Sequence, residues 1–372
     1  MKKLLCVVIT LLLLAGCVPM QLTDNNQSVK QNYITGVWVS YSELDTMLAG
    51  EFKTEFNTAV QNCLSRGVTD MFVHVRPFCD SYYRSQHFPL RATAAEHDFD
   101  VLKYMISVCH QSGIKFHAWL NPYRVKTADS DVSTLADTSP AKKWLSDDAT
   151  DNDTNVSLVG GVYLNPACAE VRALILDGIR EIVDNYAVDG IHFDDYFYPT
   201  TEAVFDEQSY SKYCSETQNP LSLDDWRRAN VNSLISGAYT AIKFKNKDII
   251  FSVSPSAAID ENYNKHYADV AAWCDNTCVD YIIPQLYFGF NYPDGNFKFD
   301  NLLSGWKREV EGTDAQLLIG LATYKIGTQN EPERSEWSNG VDVIKRQTDI
   351  CKQTKGVAGH VYFSYSSMCG HL

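Results

Sequence analysis

The chain has no basic stretch and no surplus of positive charge. Its 372 residues carry 32 Lys and Arg against 46 Asp and Glu, a formal net charge of −14. A surface of that sign repels phosphate backbones and anionic headgroups alike. This argues against nucleic acid as a partner and against direct electrostatic docking on anionic lipid. A disulfide framework is missing too. Beyond Cys6 and Cys17 there are nine cysteines, at positions 63, 79, 109, 168, 214, 274, 278, 351 and 369. An odd number at irregular spacing reads as small buried apolar residues rather than staples. Cys274 and Cys278 stand four apart with no histidine or cysteine cluster beside them, so no zinc site is expected there. No glycine-rich phosphate loop follows any apolar run, which argues against an open nucleotide-binding sheet. There is no long internal repeat, and no cofactor or metal is expected.

Long apolar runs are scarce as well, and the one present opens the chain. "MKKLLCVVITLLLLAGC" has two lysines, an apolar stretch and small residues before Cys17. The stretch is short for a membrane span and is followed by no stop signal, so residues 1–16 read as a signal peptide. The "LAGC" ending resembles a bacterial lipobox, which implies lipidation of Cys17. Residues 17–33 are largely polar and aperiodic and read as a tether. The expected location is extracytoplasmic, with the membrane reached through the N-terminal lipid, and the expected state is a monomer.

What the remainder has in abundance is a recurring pattern. Eight short apolar runs end in polar or aromatic residues: 34–40, 70–77, 115–122, 190–196, 249–256, 280–288, 317–324 and 359–366. Between most of them lie stretches with apolar residues at helical spacing, as in "EFKTEFNTAVQNCLSRG", "FDVLKYMISVCHQSG", "NPACAEVRALILDGIREIVDNY" and "SLDDWRRANVNSLISGAYTAIK". In the third, Asn165 is expected as the cap and Pro166 as the first helical residue. Strands alternating with helices pair in parallel through crossovers, and eight such units close into a barrel. The fold class is therefore α/β, a single (β/α)8 TIM-type barrel over 34–372, with 125–164 and 199–221 as long rim loops.

Strand side chains alternate, so each run can be split into an inward and an outward set. The fourth run, "DGIHFDDYFYP", puts Ile191 and Phe193 towards the helices and His192 and Asp194 towards the axis. The same split sends inward His74 and Arg76, then His117, Trp119 and Asn121, then Ser252 and Ser254, then Gln285 and Tyr287, with Tyr324 and Ser364 from the last two runs. These polar groups gather at the carboxyl ends of the strands, where barrels of this kind carry their sites. Asp194 is the sole carboxylate at an inward strand tip, and Asp195 is expected to point to the other side or up into the rim. Amides, Arg, His and aromatic rings around one acid suit a sugar, whose flat faces stack on rings and whose hydroxyls take hydrogen bonds. Tyr123 and Tyr196 add rings to that set. Set against this are plainer readings. Asp194 with Arg76 is a satisfied structural pair, or the aromatic run is packing under a lid, or His74, His117 and His192 hold a metal.

The segments "TGVWVS", "VRPFCDSYYRS", "HAWLNPYR", "VYLNPA", "DGIHFDDYFYP", "FSVSPSA", "PQLYF" and "HVYFSYSS" resemble, in order, the bacterial glycosyl hydrolase-like 10 family. The resemblance runs from about Ile34 to the C-terminus. It implies a barrel and a cell-envelope glycosidase, often a lipoprotein, acting on a polysaccharide such as peptidoglycan glycan strands stripped of peptide. A fainter likeness to family 18 chitinases fails at the decisive place, because their catalytic glutamate falls on Tyr196. The spacing of His192 and Asp194 is similar to an amylase-like arrangement. Glycoside hydrolysis usually uses two carboxyl groups. With Asp194 as one, the second is open among Glu43, Asp80, Asp195, Asp260 and Glu261. A substrate acetamido group acting as nucleophile would need only one strong acid. A non-catalytic glycan-binding lipoprotein on the same barrel, gripping sugar through Trp119, Tyr123 and Tyr287, is the alternative from another class.

Overall fold

The structure, a computed structural model, describes residues 33–194, 197–329 and 334–372. The expected signal peptide, Cys17 and its tether through residue 32, and the site candidates Asp195 and Tyr196 lie outside the described residues. No helix among the described residues is long and apolar enough to cross a membrane.

Eight parallel strands close into a barrel: Ile34–Val39, Asp70–Arg76, Lys115–Leu120, Gly190–Phe193, Ile250–Val253, Tyr281–Ile282, Gln316–Leu321 and Val357–Phe363. Each pairs with its neighbour in chain order, and the last returns to the first, with Ile34 opposite Gly359 and Trp38 opposite Phe363. These are the eight runs expected from the sequence. Helices make the crossovers. Phe52–Ser65 and Val101–Gln111 are each followed two residues later by a glycine with positive φ, Gly67 at 71° and Gly113 at 70°. That left-handed step turns the chain back into the next strand at low steric cost. Leu223–Lys245 opens as expected, with the Ser222 hydroxyl accepting from Asp225 N–H. Ala169–Asn185 opens later than expected, with Cys168 as its cap. Asn165 instead accepts from Ala167 N–H and closes a turn before the helix, because its side chain reaches a nearer donor.

The pleat divides the core in two. Outward residues such as Val37, Met71, Val73, Ile191, Phe251 and Ile319 pack under the helices. Inward residues Trp38, Phe72, Trp119, Tyr281, Ile283, Leu318 and Val361 fill the barrel itself. Space inside is tight enough that glycine is required in places. A Cβ on Gly190 would fall onto His117 Nδ1 across the strand pair.

One strand departs from simple alternation. Between the second and third strands, His74 pairs with Trp119 but Arg76 pairs with Leu120, so the register shifts at Val75. The extra residue is a bulge, and it turns Arg76 to the helix side. The rim also differs from expectation. Segment 125–164 is not plain loop: Arg124–Lys126, Val156–Ser157 and Val162–Leu164 form a three-stranded antiparallel sheet, with a helix at Pro140–Ser146. Segment 199–221 contains a helix at Glu207–Glu216. Strands of two or three residues are too short to show a period in sequence.

Arg227 fastens the second rim segment to the barrel. Its side chain and that of Asp206 are fully buried, and Nε sits 3.0 Å from Asp206 Oδ2. Nη1 donates to Thr201 O and Tyr267 Oη, and Nη2 donates to Glu202 O and Asp206 Oδ1. All five donors of the guanidinium are used. Removing one partner of such a pair leaves an uncompensated buried charge, which costs about 3–5 kcal/mol. Arg227→Met is therefore expected to lower unfolding free energy in urea by about that much. Replacing Asp206 by a neutral residue in the same chain should return part of the loss.

Candidate active site

A cavity of about 350 Å³ opens at the carboxyl ends of the strands. Every strand end contributes to it. Trp38, Ser40 and Tyr41 come from the first, His74 from the second, Trp119 from the third, Asp194 from the fourth and Ser254 from the fifth. Gln285 and Tyr287 follow from the sixth, Tyr324 from the seventh and Phe363 from the eighth, while Arg124 reaches in from the rim sheet. The size falls at the lower end of small-ligand sites. Among the described residues lining it, Asp194 is the only carboxylate and Arg124 the only permanent cation.

The walls are held from beneath. Trp38 donates its indole N–H to His192 Nε2 at 3.0 Å. An indole can only donate, so this nitrogen of His192 is unprotonated and the proton sits on Nδ1, facing Ser252 Oγ at 2.8 Å. Burial, with His117 nearby, pushes the His192 pKa well below the ordinary histidine value, which agrees with a neutral ring. His74 is fixed in the same way. Its Nδ1 accepts from Tyr41 N–H at 3.0 Å, and its ring lies flat on Trp119 with centroids 3.3 Å apart. Burial first, and then the charge of Arg124, hold its pKa well below the usual range. On the far side, Tyr287 stacks on Phe363 at 5.8 Å, and Tyr324 meets it edge-on at 6.0 Å. Gln285 donates to Ser254 O at 3.2 Å. Arg124 donates from Nε to Pro77 O and lies over the Phe78 ring at 4.5 Å.

Of the residues expected to catalyse or to grip the sugar, five meet in this cavity, Asp194, Trp119, Gln285, Tyr287 and Tyr324, and His74 and Ser254, expected only to face inward, join them. Six do not. Arg76, turned outward by the bulge, is fully buried and lies over the Phe88 ring at 4.4 Å, inside the helix-facing core. His117 does face the axis, but a layer too deep. It is wholly buried, with Nε2 2.8 Å from Asp70 Oδ1 and its ring stacked on Phe72. His192 is likewise buried below the cavity and orients Trp38. Asn121 is 1% exposed and spends its amide on Pro77 O. Tyr123 is 1% exposed within the outer core. Glu43 closes the capping box of helix Tyr41–Leu48 through Ser40, and its other oxygen accepts from Ser364 Oγ at 2.6 Å and Ser366 N–H at 2.7 Å. It lines a separate outer groove with Tyr365 and Thr54. Ser364 therefore serves Glu43, and Phe363 takes the inward place expected for it.

The other open candidates for a second carboxylate separate clearly. Asp80 is bound by Arg91 at 2.6 Å behind the Tyr41 and Phe78 rings. Burial raises its pKa against the pull of Arg91, while Asp45, on the same guanidinium and only partly buried, is held low against that burial by hydrogen bonds from Arg91, Thr93 and Tyr82. Asp260 lies exposed in the first turn of helix Ile259–Asn264. Glu261, beside it, borders a second cavity that shares Gln285, Tyr287 and Tyr324 with the first.

Sequence reasoning passed over Trp38, Ser40, Tyr41, Arg124 and Phe363. Trp38 and Ser40 are two apart in the first strand's run, so alternation applied there would have found both. Arg124 had no periodic signal, since it lies past the strand end in the rim sheet.

Comparison with known proteins gives four findings. The model of the glycosyl hydrolase-like 10 family matches residues 33–339. Glycosyl hydrolase YngK of Bacillus subtilis (strain 168) is 30% identical over 343 residues, covering 86% of this chain and 64% of that protein. This chain thus spans somewhat under two thirds of that relative. Glycosyl hydrolase DigH of Escherichia coli (strain K12) is 30% identical over 331 residues, covering 80% of this chain and 72% of DigH. Among solved structures, the PgaB (BpsB) glycoside hydrolase domain from Bordetella bronchiseptica superposes with a TM-score of 0.57 at 11% identity, over 91% of this chain and 96% of that one. At that identity the likeness is one of fold.

The buried histidines make stability depend on pH in a defined direction. His74 and His192 are held well below the ordinary value, and burial, reinforced by Lys352, brings His360 down to about 3. In the unfolded chain these rings take up protons below about pH 6.5, and in the folded protein they do not. Stability is therefore full above that pH and is lost as pH falls towards the folded values, by about 1.4 kcal/mol per unit for each ring. Urea midpoints should fall between about pH 7 and pH 5. His360→Gln should flatten that fall by about 2 kcal/mol at pH 5. An unchanged slope in the variant would show that His360 is protonated in the fold.

Proposed function

This chain belongs to the glycosyl hydrolase-like 10 family, and from that membership and the lining of its cleft we propose that it hydrolyses glycosidic bonds of a cell-envelope polysaccharide, peptidoglycan glycan strands above all. The observation that carries the reading is Asp194. Its side chain lines the cavity among Trp38, Trp119, Tyr287, Tyr324 and Phe363, the flat rings that suit sugar faces. Ser40, Ser254 and Gln285 offer hydroxyl and amide groups to sugar hydroxyls.

In this reading Asp194 is the carboxylate that meets the anomeric carbon or its attacking water. Arg124 brings into the same cavity the positive charge that Arg76 was expected to supply. His74 keeps the Tyr41 and Trp119 walls in place. The second carboxyl group comes from Asp195, next in sequence, or from Glu261 in the adjoining cavity. The segment ahead of the barrel supports a location: Cys17, the last residue of "LAGC", is lipidated, and the protein works tethered at the membrane, outside the cytoplasm.

The test is release of new reducing ends from peptide-free glycan strands. Asp194→Asn is expected to cut turnover by about two orders of magnitude or more, with folding and glycan binding retained. If Asp194→Asn works normally and Asp195→Asn is inactive, the two acids exchange roles. If wild-type protein binds the strands and releases no ends, the barrel is a glycan-binding module. Cys17→Ala should release the protein from membranes or stall its processing, whereas wild-type mature protein free of lipid would refute the anchor.

A further inference from the structure

The active-site cavity does not end at Tyr287 and Tyr324. Those two side chains and Gln285 also form one wall of a second cavity, of about 270 Å³. Its other walls are Ser256, Ala257 and Ala258 after the fifth strand, Glu261 on the short helix beyond, and Phe288, Phe297 and Lys325. The aromatic pair is ordered: Phe288 and Phe297 lie 5.1 Å apart, and Tyr292 packs against both. The shared wall is tied down as well, since Lys325 Nζ donates to Tyr287 O at 2.6 Å. The second cavity thus offers ring faces and a hydroxyl like the first, with Glu261 paired to Lys265 and Lys325 held by the Tyr287 carbonyl. It lies beyond the fifth, sixth and seventh strand ends only, so the cleft is drawn out to one side of the barrel axis.

We propose that this second cavity is a sugar subsite, so that the protein binds an extended stretch of polysaccharide across Tyr287 and Tyr324 rather than a single terminal unit. The proposal rests on the glycan-hydrolase reading of the first cavity and deepens it. Its consequence is that chain length contributes to binding. A sugar reaching past the shared wall meets the Phe297 ring, and an added stacking contact of that kind strengthens binding by about tenfold where it closes off water.

The experiment measures affinity for peptide-free peptidoglycan glycan fragments of defined length, from disaccharide to octasaccharide, by calorimetry on the whole barrel. Wild-type protein is expected to bind the longest fragment about tenfold or more tighter than the disaccharide. Phe297→Ala removes the ring, and Ala258→Trp fills the cavity without removing a contact. Both should abolish the gain with length and leave disaccharide affinity within about twofold. Equal affinity at all lengths in wild type, no binding at any length, or a length gain that survives in a folded variant overturns the subsite. Hydrolysis of the same fragments by wild type separates the two readings. Cleavage without a length effect overturns the subsite alone. Length-dependent binding without cleavage overturns the hydrolase reading and leaves the subsite standing.

Discussion

The cleft stands on one buried hydrogen-bond chain, from the Trp38 indole through the His192 imidazole to the Ser252 hydroxyl. It joins the first, fourth and fifth strands across the interior of the barrel. Each such bond is worth only about 1 kcal/mol net, but a buried donor left without its partner costs about 1–3 kcal/mol. The chain therefore acts less as glue than as a constraint. Trp38 has one orientation that satisfies its N–H, and that orientation makes it a wall of the cavity. Burial keeps His192 neutral, which preserves the tautomer on which both bonds depend. His74 repeats the device under Tyr41 and Trp119.

Charge is sorted by the same need for partners. The chain is strongly acidic, yet four carboxylates near the upper rim are occupied. Glu43 satisfies a helix N-terminus and the Ser364–Ser366 turn. Asp45 and Asp80 share Arg91. Asp206 is locked onto Arg227. What the described cavity retains is Asp194 with Arg124 in the same lining, in surroundings that are otherwise aromatic. Asp194 lies in a partly enclosed, ring-lined space in which no other described lining residue is a carboxylate.

Much of this was legible in the chain. Eight apolar runs separated by helical periods admit few arrangements, and the barrel follows because parallel strands need crossovers of helical length. Alternation placed Asp194, Trp119, Gln285, Tyr287 and Ser254 correctly. It failed where a local event intervened. At Val75 one inserted residue turned Arg76 to the helices. At the eighth strand Phe363, not Ser364, faces in. Alternation also says nothing about depth, so His117 and His192 passed the facing test and still lie below the cavity floor.

The sequence by itself determined the period of the barrel strands and of the long crossover helices, the closure of the barrel and the end at which polar groups collect, because these follow from side-chain spacing along the backbone. It determined the family as well, through motifs at the strand ends. Only the tertiary structure decided which acid stays in the cleft and which are consumed elsewhere. Glu43 lost its expected role to Ser364 and Ser366, more than 300 positions away. Arg124 enters the cavity because the short rim sheet lays it over Phe78. Those assignments depend on which partner lies within hydrogen-bond reach after folding. That distance has no local signature in the chain.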